Sequence, residues 1–351
     1  MLRKTYRSLA WVGFASSLSA CEFPFSPEKY QLAPEPEAQQ SAERVALSAF
    51  TQEPTCVEQV QNACPQTLSE CGQTAGCAEL ATCIRKRRAP SAEAGCSSEL
   101  DSSVDALRAY EALRACWAEQ YGTCDVGNDF DCLEAYVKPG VRERSQLLLQ
   151  EQFKYVGHEL DGASFTLLGC GLGPDDCAPP LALAATDANG WVSMAIPLNA
   201  GRAGQDWSGA RRVSGDQIRE SRIERNIPIW NDHVEVTRLV DDGTLQIGSE
   251  LLGISEDQAV LVQVLDCQSA PAARIELRAS HGQVYYHQGF GFATDGGTRG
   301  VGAADVVNAL ADTPLTIDAI DQAGRTIASW RGRLAPHDLV YLKLYPTPAP
   351  L

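Results

Sequence analysis

Leu181-Ala-Leu-Ala-Ala-Thr186-Asp187-Ala-Asn-Gly190-Trp191-Val-Ser-Met-Ala-Ile196 is the stretch from which the fold is read. Leu181 to Thr186 and Trp191 to Ile196 have strand composition, and Asp187-Ala188-Asn189-Gly190 between them has turn composition. Asn-Gly supplies the positive φ that a tight hairpin turn needs, so the stretch predicts a β-hairpin. On its N-terminal side a strand region starts at Ser164 to Leu168. On its C-terminal side Val260 to Leu265, Ala273 to Ala279, Leu315 to Ile320, Thr326 to Trp330 and Leu339 to Tyr345 are strand candidates. Ala273, Ile275, Leu277 and Ala279 alternate with Arg274, Glu276 and Arg278; Val340, Leu342 and Leu344 alternate with Tyr341, Lys343 and Tyr345. One apolar and one polar face predicts half-solvated antiparallel sheets. Asp242 to Leu252 reads as a short linking helix.

Upstream the pattern turns helical. Pro54 and Thr55 open a helix carrying Cys56, Val60 and Cys64; Gly72 and Gly76 bracket a turn; Ala78 to Arg88 and Ser102 to Glu119 are two more helices. This region holds Cys56, Cys64, Cys71, Cys77, Cys83, Cys96, Cys116, Cys124 and Cys132; Cys170, Cys177 and Cys267 follow. With Cys21 these make 13. Setting Cys21 aside leaves an even number for disulfides. The helical and β regions each hold an odd number, so full pairing requires a bridge between them. A helical hairpin turning near Thr74 would set Cys71 opposite Cys77 and Cys64 opposite Cys83. A Cys170–Cys177 bridge would pin a Gly/Pro/Asp loop and leave Cys267 to bond back to the helical region; the alternative pairs Cys267 with Cys170 or Cys177. At least five residues separate successive cysteines of the cluster, which is not zinc-knuckle spacing.

The first twenty residues read as an export signal. Arg3, Lys4 and Arg7 precede an apolar run from Leu9 to Leu18 that is too short to span a bilayer, and Ser19 and Ala20 are small. Leu18-Ser-Ala-Cys21 resembles the lipobox of bacterial lipoproteins. That resemblance implies cleavage before Cys21, acylation of its thiol and an anchor in the lipid bilayer. Glu22, rather than Asp, favours the outer membrane. Residues 21–53, rich in Pro, Glu, Gln and Ala up to about residue 50, predict a flexible or partly extended tether.

Cys71-x5-Cys77-Ala-Glu-Leu-Ala-Thr-Cys83 resembles cysteine-rich helical segments in lipoproteins of myxobacteria and related bacteria. The stretch from Leu181 to Val192 looks like the central Thr-Asp-x-x-Gly hairpin of carboxypeptidase-regulatory-like, or transthyretin-like, β-sandwich domains. A degraded second copy is read at Thr294-Asp295 to Gly300, ahead of Leu315 to Ala319. The expected fold is α+β and multidomain: a small disulfide-rich helical domain followed by two tandem antiparallel β-sandwiches. Its parts are a signal peptide at 1–20, a lipidated tether at 21–53, the helical domain at 54–144, and sandwiches at 145–255 (with the linking helix) and 256–351.

A net charge of −16 argues against nucleic acid as a partner. His158, His233, His281, His287 and His337 include no metal-ligand pair at helical spacing; His281 and His287 would share a strand face if the strand ran unbroken, and they read as exposed polar strand positions rather than as a zinc or copper site. Ser26-Pro-Glu-Lys29 matches S-x-x-K formally, in a tether where no scaffold holds a nucleophile against its base. Asp125, Asn128, Asp129 and Asp131 form an acidic loop without EF-hand spacing, read as solvated rather than as a calcium site. Arg211, Arg212, Arg219, Arg222 and Arg225 read as a solvated surface segment, with contact to an acidic partner or polysaccharide as the functional alternative. Trp207 and Trp230 flank it as core aromatics or ligand platforms. No cofactor, metal or catalytic residue is expected. The function expected is a non-enzymatic binding or structural module of the envelope with an envelope protein or polysaccharide as partner. The alternatives are an exported hydrolase and a carbohydrate-binding module.

Overall fold

In the computed structural model the turn at Asp187 forms as its residues dictate, but the strands it joins do not pair with each other. The structure describes residues 37–50, 54–90, 92–120, 128–133, 145–155, 165–170, 180–198, 210–215, 217–252, 258–288, 291–299 and 302–347. Cys21, Cys124, Cys177, Asp125, His158, Trp207, Gly300 and the Ser26–Lys29 motif lie outside these residues.

The helices are α1 (Glu37–Phe50), α2 (Pro54–Ala63), α3 (Pro65–Gln73), α4 (Cys77–Arg87), α5 (Ala92–Leu100), α6 (Val104–Gln120) and α7 (Asp242–Leu252). The strands are β1 (Gln146–Tyr155), β2 (Phe165–Gly169), β3 (Ala182–Ala185), β4 (Trp191–Pro197), β5 (Arg211–Gly215), β6 (Ile218–Arg225), β7 (His233–Leu239), β8 (Ala259–Val264), β9 (Glu276–Ala279), β10 (Gln283–Gln288), β11 (Gly291–Ala293), β12 (Ala303–Val307), β13 (Pro314–Ile320), β14 (Thr326–Arg333) and β15 (Leu339–Leu344).

The helical region departs from expectation at three places. Residues 37–50, expected in the tether, form α1, because Ala46 and Leu47 are buried in the helical core. Pro65 breaks the first expected helix in two. A proline disfavours helical geometry in the residue before it, and Cys64 sits at φ −120°, ψ 37°. Cys64 is thereby turned away from Cys83 and bonds Cys116 of α6. Cys83 bonds Cys96 of α5, a helix not anticipated. Cys71 and Cys77 are bonded across the turn. Cys56 and Cys170 are each in a disulfide as well. The bridge between the helical and β regions is Cys132–Cys267.

Two tandem sandwiches would place a boundary near residue 256, yet the hydrogen-bonded ladders run across it. One nine-stranded sheet has the order β11-β10-β12-β8-β15-β6-β5-β2-β3, flanked by two three-stranded sheets, β4-β1-β7 and β14-β13-β9. The seam is β15, which pairs in parallel with β6 of the first half and β8 of the second. Its alternate side chains enter different cores. Val340, Leu342 and Leu344 pack with β13 and β14, whereas Leu339 and Tyr341 pack with β1 and β4. The three-stranded sheets therefore cover opposite faces of the long sheet. Every residue of β15 is buried, so the half-solvated face expected for this strand does not exist. Strands flanked in parallel and covered on both faces are buried in this way. The helices form a further layer over β4-β1-β7, with Val234 in their core and Arg108 stacked over Trp191.

The Asp187 turn shows why no hairpin results. The Asp187 carboxylate accepts the N–H groups of Asn189 and Trp191, and Gly190 takes φ +74°. β3 then pairs with β2, and β4 with β1 in the opposing layer. Ala182 and Ala184 thus face Val192, Met194 and Ile196 across one core. The true counterpart of this turn is Asp321-Gln-Ala-Gly324 rather than the stretch after Asp295. Asp321 accepts the N–H groups of Ala323 and Arg325, and Gly324 takes φ +80°. There the flanking β13 and β14 do pair.

Candidate functional site

The most concentrated chemistry among the described residues lies in the core between β4-β1-β7 and the long sheet. Parallel pairing of β1 with β7 sets Glu151 beside Glu235 and Leu149 beside His233. Parallel pairing of β15 with β6 sets Lys343 beside Arg225. Across the layers, Arg211 Nη1 of β5 lies 2.6 Å from Glu235 Oε2 and 3.2 Å from Glu151 Oε2. Lys343 Nζ lies 2.6 Å from Glu235 Oε1 and donates to the Val236 carbonyl at 3.1 Å. Thr237 Oγ1 donates to Glu151 Oε1 at 2.5 Å. Glu151, Arg211 and Glu235 are at most 1% exposed.

The helical layer completes this cluster. His233 Nδ1 lies 2.9 Å from Glu93 Oε1 of α5, and its Nε2 lies 2.9 Å from Arg225 Nη1. Glu111 of α6 accepts the Val236 N–H and is clamped by Arg114, which also donates to the Ser269 carbonyl. The free edge of β7 is thus satisfied by side chains. Burial alone would raise the Glu235 carboxyl, but Lys343 and Arg211 hold it well below its ordinary value. Burial raises Glu151, against the opposing pull of Arg211. Burial lowers the Lys343 ammonium, which Glu235 helps to keep charged. Burial and Arg225 oppose charge on His233, while Glu93 and Glu235 favour it, and the balance lies above the usual histidine value.

The basic segment expected at the surface therefore folds largely inward. Arg211 enters the ion cluster. Arg222 is buried and donates to the Arg333 carbonyl, close to Glu224 and Asp338. Arg212, which pairs with Glu220, and Arg219 stay half-exposed. Strand alternation governs these residues, so charges at odd and even positions reach different faces. Trp230 is a core residue. His281 accepts the Leu310 N–H and contacts the Pro314 carbonyl at the β9–β10 turn, and His287 pairs with Asp305. The two do not share an unbroken strand.

The acidic loop is also committed elsewhere. Asn128 exchanges two hydrogen bonds with the backbone of Ala273, and Asp129 accepts from Arg88 Nε at 2.7 Å and from Gln268. An arginine thus occupies the carboxylate that calcium would need. Among the described residues no group of three or more His, Cys, Asp or Glu side chains is arranged to hold a metal ion. Beside Cys132–Cys267, the Asp266 carboxylate accepts the N–H groups of Gln268, Ala270 and Asp129. Burial nevertheless pushes its pKa up from 3.8 to about 7. A carboxyl raised on folding binds its proton more tightly in the native state. Its contribution to stability is therefore greatest below pH 4 and is lost as the pH climbs to 7. Asp266→Asn keeps one acceptor oxygen and removes this titration. The difference in urea midpoint between native chain and variant should change between pH 4 and pH 7; a constant difference would refute the assignment.

A shallow groove of about 740 Å³ between α1, α4 and α5 is lined by Val45, Ala78, Lys86, Arg87, Glu99 and Leu100. Arg87 and Glu99 form an ion pair there.

Together these features define an α+β protein stapled by disulfides, whose buried charges join elements to one another. No family model matches the chain, and no curated protein matches it. Solved structures do match it distantly. The shaft pilin SpaA from Lactobacillus rhamnosus GG has 9% identity over 59% of this chain and 98% of its own, with a TM-score of 0.19. A streptococcal ancillary pilin has 10% identity over 58% of this chain and 70% of its own, at 0.20. The minor pilin GBS52 of Streptococcus agalactiae has 11% identity over 58% and 97%, at 0.18.

Proposed function

We propose that the chain is an exported lipoprotein, anchored in the outer membrane through acylated Cys21, that acts as a non-enzymatic binding or structural module of the cell envelope. One observation carries the reading of a rigid module. The buried ionisable groups are spent on one another across five strands and two helices, where they fix layers instead of lining a cleft. The disulfides support export, because such bonds persist in oxidising compartments. No helix among the described residues is long and apolar enough to cross a membrane, and a lipid on Cys21 supplies the anchor. Two or more acyl chains give lasting attachment.

The anchor is tested with Cys21→Ser. The native chain should stay with membranes after a high-salt wash, and the variant should leave them. Retention of the variant would exclude acylation as the anchor. The module reading is tested by capturing the intact protein from detergent-solubilised envelopes. A specific stoichiometric companion is expected, and its absence would count against binding as the role.

A further inference from the structure

We infer that β3 is a self-association edge through which two copies of the chain join their long sheets. Among the described residues β3 ends the nine-stranded sheet and is paired on one side only, with β2. The antiparallel register sets Ala182 opposite Gly169 and Ala184 opposite Leu167. The Thr186 N–H donates to the Phe165 carbonyl, which makes Ala182 and Ala184 the hydrogen-bonded positions within the strand; just before it, the Leu181 N–H donates to the Gly169 carbonyl. Alternation then aims the N–H and C=O of Leu183 and Ala185 away from β2. Such an edge is a template for another strand.

Among the other sheet edges, β4 is also uncharged, but its exposed positions are Ser193, Ala195 and the terminal Pro197 rather than leucines. β9 presents Glu276 and Arg278, β14 ends in Arg331 and Arg333, and β11 is only three residues long. The edge of β7 is covered by Glu111 and Lys343. β3 is four residues long, but it carries no charge and exposes leucine. Between Cys177 and Asp187 the sequence contains no charge. Leu183 is 66% exposed and Leu181 is 40% exposed. With Ala185 they form a stripe on the face opposite the core, beside Leu168.

The occupant follows from this chemistry. The free groups call for an extended backbone, and the stripe calls for apolar side chains without charge. A second β3, antiparallel across a twofold axis near Leu183, supplies both. It sets leucine against leucine, and a twofold pairing of one patch with itself closes at a dimer. In a chain of net charge −16, this uncharged segment is where two copies approach with least repulsion. The inference gives the binding reading a partner and rests on the edge alone, independently of the anchor.

A photo-crosslinking amino acid at position 183 of the full chain, irradiated in native membranes, should yield a product of twice the chain mass. The same group at Ile247, which is 62% exposed on α7, should not. In detergent, sedimentation should show a reversible dimer that Leu183→Lys weakens roughly a hundredfold. That corresponds to about tenfold for each of the two leucines lost from the contact. The variant's thermal unfolding should match that of the native chain. A crosslink only to a different protein, no crosslink at 183, an equal one from 247, or a dimer unmoved by Leu183→Lys would overturn the inference.

Discussion

Glu235→Gln is expected to lower the unfolding free energy by about 3–5 kcal/mol, the usual cost of leaving buried charges without their partner. Glu235 is shared by Arg211, Lys343 and His233, all largely buried. Glutamine keeps the shape and removes the charge. Its amide oxygen can accept from one of Lys343 and Arg211, but its NH2 group then faces the other cation, and neither keeps a countercharge at this position. Removing both partners should behave differently. Two charges taken out of water are stabilised by each other only about as much as their desolvation costs. The pair Glu235→Leu with Lys343→Met should therefore recover a large part of the loss, and the double-mutant cycle should report a coupling of roughly 2 kcal/mol or more. Urea unfolding of the native chain, Glu235→Leu, Lys343→Met and the double variant measures it. Additive losses would show that the two side chains do not act as a pair. Because the cluster joins β1, β7, β5, β6 and β15, the loss should appear as lowered cooperativity between the two β halves as well as a lower midpoint.

Replacing both Cys132 and Cys267 by alanine is expected to cost about 5 kcal/mol, against about 2 kcal/mol for the Cys71 and Cys77 pair. The difference follows from chain entropy, since the stabilisation grows with the logarithm of the loop closed. Cys132–Cys267 spans 135 residues of sequence and Cys71–Cys77 spans 6. Cys132–Cys267 also holds the Asn128–Asp129 segment where it bonds Ala273, Gln268 and Arg88. Without it, proteolysis under native conditions should cut near residue 130 first. Equal losses for the two pairs would mean that the long loop is already closed by noncovalent contacts in the unfolded chain.

Much of this structure was legible locally. Asp242 to Leu252 is helical over the residues expected, and the β candidates fall on strands within a few residues of their expected ends. The odd cysteine counts required a bridge between the helical and β regions, and Cys132–Cys267 is one. The signal for the second copy of the turn was present as Asp321-x-x-Gly324. Thr294-Asp295 copies the letters of the turn but not its spacing. The ion cluster was not legible. Lys343 stood on what reads as a solvated polar face, and Arg211 stood in what reads as a surface segment. Only pairing partners far away in sequence bury them.

The two Asp-x-x-Gly turns mark the division between local and global information. By itself the sequence determined the turns, because one carboxylate captures two nearby N–H groups and a glycine accepts positive φ at no steric cost. It also determined the strand and helix periods, and the need for a covalent link between the regions. Tertiary structure alone decided whether the strands leaving each turn pair with each other, as β13 and β14 do, or part into facing layers, as β3 and β4 do. The physical reason is that turn geometry is fixed within a few residues. Which edge a strand's backbone finds, and whether its polar face meets water or a buried countercharge, depends on segments up to a hundred or more residues away.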